Sequence, residues 1–366
     1  MTIQFTTLVQ RLPDTVPFIG PETLERSNGQ KFKARIGANE SAFGISPLAQ
    51  KAIEAAAGIE GCSWYGDPEN FELRSLLAKK HGVSINNICV DAGIDSLLGL
   101  SIRLFIEPGD GVVTSLGAYP TVNYHVNGFG GLLTSVPYKM HHEDPVALAK
   151  AAHEHKAKLV YLANPDNPMG TSLTTAAIQT LLDDLPEHSL LMLDEAYNEF
   201  MTSQDTLTVD VSNPKLIRYR TFSKAYGLAG MRIGYAIAHE EIIKGFNKIR
   251  NHFGVNRLAQ IAALTSLQDA DFLGKVVKEV KTGRQKIYDL ATNCGLPYLT
   301  SDTNFVAVDI GDSTKADTLI ATLGKQGVFV RKPMVAPQNC FIRIGIGSST
   351  EHDVMVDTLE PLLAQL

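Results

Sequence analysis

Arg220–Tyr235 reads RTFSKAYGLAGMRIGY and sets several reactive groups at close spacing. Lys224 stands behind two hydroxyls, Thr221 and Ser223, and ahead of Arg232, with Gly227 and Gly230 between them. Hydroxyls, backbone N–H groups and a guanidinium are the donors that hold a phosphate. An amine in their midst is placed to form a Schiff base with a carbonyl on the same ligand. The glycines let the backbone approach that ligand closely. The string also suits a basic surface loop or a plain strand-to-helix corner, so the rest of the chain has to decide.

One cofactor carries both an aldehyde and a phosphate: pyridoxal phosphate. Its ring acts as an electron sink only while the pyridine nitrogen is protonated, which calls for a carboxylate partner. In LLMLDEAYNEF the apolar run Leu190–Leu193 reads as a buried strand with Asp194 at its carboxyl end, where open α/β sheets bind ligands. Tyr197 follows, within reach of the cofactor's phenolic oxygen. The alternative is that Asp194 or Glu195 caps a following helix. A second strand, Leu159–Ala163, runs into NPDNPMG (Asn164–Gly170), where two prolines stiffen a turn able to present the Asn167 amide. A plain Asn-Pro turn is the competing reading. Upstream, CVDAGIDSLLGLSIRLF predicts strand, Gly93, then a helix entered at Ile94 and Asp95, whose free N–H groups form an anion site. Tyr119 follows another strand, placed either to stack on a pyridine ring or to fill the core.

These motifs, in this order and with a downstream arginine, resemble the fold-type I pyridoxal-phosphate enzymes, and among them most nearly the histidinol-phosphate aminotransferase group. The resemblance runs from ANESAFG at 38–44 to IRIG at 342–345. It implies an α/β fold: a large domain with a mostly parallel sheet sandwiched by helices, plus a smaller α+β domain. The alternation of strands and amphipathic helices agrees, and gives an N-terminal arm at 1–40 joining the small domain or a dimer contact, a cofactor domain at 41–255 and a small domain at 256–366.

By the same resemblance Lys224 holds the cofactor covalently and, once freed, moves the proton between the substrate α-carbon and the cofactor. Asp194 pairs with the ring nitrogen, Asn167 and Tyr197 bond the phenolic oxygen, and Tyr119 stacks on the ring. Gly93, Ile94, Asp95, Thr221, Ser223 and Arg232 surround the phosphate, and Tyr65 reaches it from the neighbouring subunit of a homodimer with a shared active site. Arg343 grips the substrate's anionic end and Arg331 helps hold a substrate phosphate. Asn304 is structural, and Lys332 is solvated. The expected partners are a small amino donor and a 2-keto acid acceptor. Three positions depart from the family pattern: Phe43 stands where relatives have tyrosine, Met169 where they have threonine, and Gly66 where a proline follows the tyrosine. The Phe43 departure removes a hydroxyl from a candidate substrate-binding position and favours an aromatic side chain as much as a phosphate.

Composition fits a globular protein: 366 residues, 44% hydrophobic and 20% charged. A net charge of −6 gives no basic footprint for nucleic acid or an anionic membrane. The four cysteines show no metal-ligand spacing and read as reduced, mostly buried thiols, and the paired histidines of HHEDP at 141–145 read as solvated. With no charged-then-apolar leader and no apolar run near about 18 residues, the expectation is a cytoplasmic protein without metal. Two other functions stay open. A lyase such as a threonine-phosphate decarboxylase uses the same scaffold, since fold does not fix reaction type. A cofactor-sensing module of a transcription regulator would need a DNA-binding part, for which there is no room before Lys31 and no basic recognition helix.

Overall fold

The computed structural model describes residues 3–14, 19–202 and 207–363. Phe18, part of the predicted arm, lies outside them. The strands are β1 Ala34–Arg35, β2 Ile88–Asp91, β3 Gly111–Ser115, β4 Leu132–Val136, β5 Leu159–Ala163, β6 Leu190–Asp194, β7 Leu216–Thr221, β8 Gly234–Ala238, β9 Phe305–Asp309, β10 Val328–Phe329 and β11 Phe341–Gly345.

Seven of them form one sheet in the order β2-β8-β7-β6-β5-β3-β4. All pairings are parallel except those of β8, which runs antiparallel to both β2 and β7. The continuous apolar runs follow from burial on both faces. Along β5, Leu159, Tyr161 and Ala163 enter one core while Val160 and Leu162 enter the other. The helix Ile94–Phe105 covers the first face, and the helices Pro145–Glu154 and Thr175–Asp184 cover the second. Six parallel strands thereby end on one edge, bringing Asp91, Ala163, Asp194 and Thr221 to the same rim.

The smaller unit is built on the antiparallel pair β9–β11 and the parallel pair β1–β10. Ala34 and Ile36 from the arm are part of its core, together with Val276, Val280 and Ile287 of the helix Ala270–Asn293. The preceding helix, Arg257–Leu267, turns Ala259, Ala262 and Ala263 into a cluster with Leu73 and Leu77, so it packs with the large sheet.

After β6 no α-helix begins, which sets aside a helix cap at Glu195. The Glu195 side chain is buried and receives two hydrogen bonds from Arg218, at 2.9 and 2.6 Å, and one from Arg220 at 3.0 Å. Burial pushes this carboxyl up, but Arg220 and Arg218 outweigh it and hold it below the usual glutamate range. The stabilisation is therefore present above the unfolded glutamate's pKa and lost as pH falls through the lower folded value. Glu195→Gln leaves two buried guanidiniums underpaired and should cost about 3–5 kcal/mol. A lowered urea midpoint at neutral pH, with the gap to wild type closing in acid, checks this.

Two further expectations change. Glu143, within the supposedly solvated HHEDP loop, is buried, and His141 packs its ring 5.0 Å from Phe341. Of the cysteines only Cys89 is buried; Cys294 and Cys340 are half-buried and Cys62 is exposed.

Candidate functional site

A cavity of about 240 Å³ opens at the carboxyl rim of the sheet. Ile94, Asp95, Tyr119, Asn167, Asp194, Tyr197, Thr221, Ser223, Lys224 and Arg232, all singled out from sequence, line it together.

Its anion-binding end is assembled from three elements. Gly93 precedes the helix Ile94–Phe105 at φ +85°, and a Cβ there would fall 2.7 Å from Arg232 Nη2. Only glycine lets the guanidinium come this close. No side chain caps that helix, so its first N–H groups remain free for an anion. At the end of β7 the Thr221 hydroxyl donates to Ser223 Oγ at 3.0 Å and accepts from the Ser223 N–H at 3.0 Å. Arg232 Nη1 reaches Ser223 Oγ at 3.5 Å, and Nη2 pairs with Asp95 Oδ2 at 3.2 Å. Asp95 Oδ1 also accepts from the Tyr119 hydroxyl at 2.9 Å, which fixes that ring at the wall.

Lys224 sits on the turn after β7, where Gly227 approaches the segment that follows the arm so closely that a Cβ would lie 2.0 Å from Gly44 O. Its Nζ donates to Asn39 O at 3.2 Å and stands 5.5 Å from the centre of the Tyr197 ring. The Tyr197 hydroxyl accepts from Asn39 Nδ2 at 2.9 Å. Asn39 was not anticipated, and neither was Tyr161, whose hydroxyl donates to Asp194 Oδ2 at 2.9 Å. The Ala196 N–H donates to Asp194 Oδ1 at 3.0 Å. Asp194 is 5% exposed and, among the described residues, has no ion-pair partner. Burial raises its pKa to about 6. A buried carboxylate that faces the cavity without an ion-pair partner is the environment that a protonated ring nitrogen would complete. The donor-rich opposite end suits a phosphate, so the residues present fit pyridoxal phosphate.

The arginines lie just outside this lining. Arg343 is 9% exposed on β11, with its guanidinium carbon 4.9 Å from the centre of the Phe305 ring. Burial lowers its pKa to about 10. Its Nη1 donates to Asn167 Oδ1, and its buried Nε has no hydrogen-bond partner among the described residues. With Oδ1 so engaged, Asn167 keeps its Nδ2 donor for the cavity. Arg331 faces Arg343 across a backbone bridge, and its Nη2 donates to Ile19 O at 2.7 Å. Asn304 donates to the carbonyls of Asn39 and Glu40, both at 3.2 Å, tying the arm to the smaller unit. Lys332, expected to be solvated, is instead paired with Asp317 at 2.6 Å and its side chain is 13% exposed.

Two predicted residues, Tyr65 and Phe43, lie away from the cavity. Tyr65 is 78% exposed, its ring packed 5.0 Å from that of Phe253. Phe43 lines a separate cavity with Phe272 and Val276 of the long helix. Among the described residues no cluster of acidic, histidine and cysteine side chains could hold a metal ion, and no helix is long and apolar enough to cross a membrane.

The model of aminotransferase class I and II matches residues 33–359. A protein from Carboxydothermus hydrogenoformans named histidinol-phosphate aminotransferase 2 is 35% identical over 328 residues, 88% of this chain and 89% of the relative. The crystal structure of histidinol-phosphate aminotransferase from Sinorhizobium meliloti in complex with pyridoxal-5'-phosphate is 45% identical. It superposes with a TM-score of 0.95 over 100% of this chain and 99% of that one. An aspartate aminotransferase double mutant from Thermus thermophilus, at 19% identity, shares the fold with a TM-score of 0.83 over 99% of this chain and 100% of its own. On the match to its family model and the identity to its relatives, this chain belongs to the class I and II aminotransferases.

Proposed function

We propose that this pyridoxal-phosphate-dependent aminotransferase moves an amino group between a histidinol-phosphate-like amino-alcohol phosphate and a 2-keto acid. The observation that carries the reading is that Lys224, Asp194 and the entrance of the uncapped helix Ile94–Phe105 line one cavity. The bound cofactor supplies an electron sink for charge developing at the substrate α-carbon. The chain does the rest. Lys224, released from its covalent role, takes and returns the α-proton. Asp194 keeps the ring nitrogen protonated, and Tyr161 and the Ala196 N–H keep Asp194 aimed. Asn167 Nδ2 and the Tyr197 hydroxyl address the phenolic oxygen. Arg343, with its unpartnered Nε, takes a carboxylate of the keto acid, and Arg331 beside it adds charge for a phosphate.

Phe43 weighs less on this choice than its sequence position implies. Its ring is half-buried against the core of the smaller unit, not beside Arg331 or Arg343. Phe43→Tyr should therefore change KM for a phosphorylated donor by less than about threefold, the range of a substitution away from the site. Steady-state kinetics on both proteins checks it.

A homodimer completes the reading. Tyr65 is exposed and packs on the exposed ring of Phe253, with exposed Trp64 next to it in the chain, and exposed apolar surface of this kind marks a protein contact. Tyr65 would act on a partner's phosphate from there. A cytoplasmic setting goes with four free thiols.

The test is a spectral titration of the cofactor-loaded protein with histidinol phosphate, phenylalanine, tyrosine, glutamate and phosphothreonine, each without keto acid. Conversion of the cofactor to its amine form by histidinol phosphate and by glutamate supports the proposal. Conversion by phenylalanine or tyrosine but not histidinol phosphate would replace the donor class. Loss of carbon dioxide from phosphothreonine without amine formation would replace transamination with lyase chemistry.

A further inference from the structure

Asn39 touches both the cavity and the smaller unit. It is 6% exposed and sits at φ +55°, a left-handed conformation that asparagine and glycine adopt more readily than other residues. Its Nδ2 donates to the Tyr197 hydroxyl at 2.9 Å. Its backbone carbonyl accepts from Lys224 Nζ and from Asn304 Nδ2, each at 3.2 Å. Phe305, next to Asn304 on β9, stands edge-on to the Tyr197 ring with centres 5.7 Å apart. One arm residue thus joins two cavity side chains to the smaller unit.

The direction of the Tyr197 bond matters. A phenol has one hydrogen to donate and can accept at the same oxygen. The Asn39 amide donates to that oxygen, so the Tyr197 hydrogen is left for another acceptor, and among the described residues no protein atom takes it. Tyr197 is buried and lines the cavity, so the acceptor is a ligand there.

We propose that Asn39 is a positioning residue that makes Tyr197 a hydrogen-bond donor: its amide occupies one side of the phenol oxygen and leaves the Tyr197 hydrogen for the phenolic oxygen of the cofactor. The inference rests on the reading of Tyr197 as a contact of that oxygen. Asn39→Gly removes the amide and keeps the left-handed backbone. Asn39→Asp keeps the size of the side chain but supplies a carboxylate that only accepts, so it draws the Tyr197 hydrogen to itself. A side chain that merely filled space would tolerate aspartate better than glycine. The donor role reverses that order.

The test is a pH titration of the bound cofactor's absorbance. A hydrogen bond donated to the phenolic oxygen favours its anionic form, so the midpoint for losing a proton lies lower with the bond than without it. Tyr197→Phe should raise the midpoint by about 1–2 pH units, the worth of one hydrogen bond to a charged group. Asn39→Asp should raise it at least as far, and Asn39→Gly by a smaller shift of at least about 0.5 unit. In a Tyr197→Phe background Asn39→Gly should add less than about 0.3 unit. Aspartate's own charge also acts on the midpoint, and that background isolates its part. The charged groups of the cavity, Glu40, Asp95, Asp194, Lys224 and Arg232, and Arg343 against Phe305, are common to all variants.

A wild-type midpoint in Asn39→Asp, beside the expected shift in Tyr197→Phe, would overturn the proposal. So would a larger shift in Asn39→Gly than in Asn39→Asp, or an Asn39→Gly shift undiminished by Tyr197→Phe. The glycine comparison decides alone if the aspartate variant does not fold. An unshifted Tyr197→Phe would refute the Tyr197 contact and the proposal with it. Donor conversion is read separately. Its absence alongside the predicted shifts would refute the proposed reaction and leave the role of Asn39 standing.

Discussion

Lys224→Ala keeps the fold, retains pyridoxal phosphate without a covalent link, and loses at least about 10³-fold in kcat. The side chain contributes little to stability: its Nζ makes one hydrogen bond, to a backbone carbonyl of the arm, so the unfolding midpoint should stay close to wild type. Retention of cofactor follows, on the proposed reading, from the groups that remain in the cavity: Thr221, Ser223, Arg232 and the uncapped helix entrance for the phosphate, and Asp194 for the ring nitrogen. What disappears is the amine that both anchors the cofactor and carries the α-proton, and among the cavity's lining residues no second lysine replaces it. Absorbance, cofactor content after gel filtration and single-turnover kinetics measure the three consequences. A variant that turns over normally would refute the assignment.

Asp194→Asn should lower kcat by about 10²–10³-fold while making the cofactor-free protein more stable. The two effects have one origin. In the cofactor-free protein the carboxylate is buried, accepts hydrogen bonds from the Tyr161 hydroxyl and the Ala196 N–H and has no ion-pair partner among the described residues, and burial carries its pKa from 3.8 to about 6. A raised carboxylate pKa means that the folded state resists ionisation. The penalty appears as pH rises above the unfolded value, grows toward the folded value and is full beyond it. An upward shift of this size corresponds to about 2–3 kcal/mol, which asparagine relieves above about pH 7. The same charge, once paired with a protonated ring nitrogen, favours the electron-sink form of the cofactor, and asparagine cannot supply it. Urea denaturation of the cofactor-free proteins at acid and neutral pH should show the stability difference growing with pH. Equal stability of the two proteins at all pH values would mean that the Asp194 environment has been misjudged.

The motifs that sequence reveals here are those whose parts are close along the chain. Thr221, Ser223, Lys224 and Arg232 fall within one strand, turn and strand, so their spacing carries the phosphate cup almost unaided. Asp194 and Asn167 were legible because each follows an apolar strand of the parallel sheet, and a parallel sheet gathers its strand ends on one edge. The antiparallel course of β8 was not legible, because its apolar run looks like that of its parallel neighbours.

Long-range polar contacts were missed for a related reason. Asn39 meets Tyr197 across 158 positions, and no local pattern marks it. Tyr161 looked like one more apolar residue of LVYLA until its hydroxyl was found on Asp194. Glu143 was hidden by its polar neighbours in HHEDP, although its side chain is buried and accepts from the Ala163 N–H and the Ser115 hydroxyl. A change in pattern near 256 marks a new segment of chain, but not the layer on which the alanines of the helix Arg257–Leu267 pack, which is the cluster with Leu73 and Leu77.

The most direct test of the central claim is borohydride reduction of the cofactor-loaded protein, followed by peptide mass mapping. Reduction converts the link between cofactor and amine into a stable one, so the modified lysine can be identified. The account predicts a single stoichiometric pyridoxyl-phosphate adduct on Lys224, abolished when an excess of a reactive amino donor is added first. An adduct on any other lysine, or none in a protein that transaminates, would contradict it.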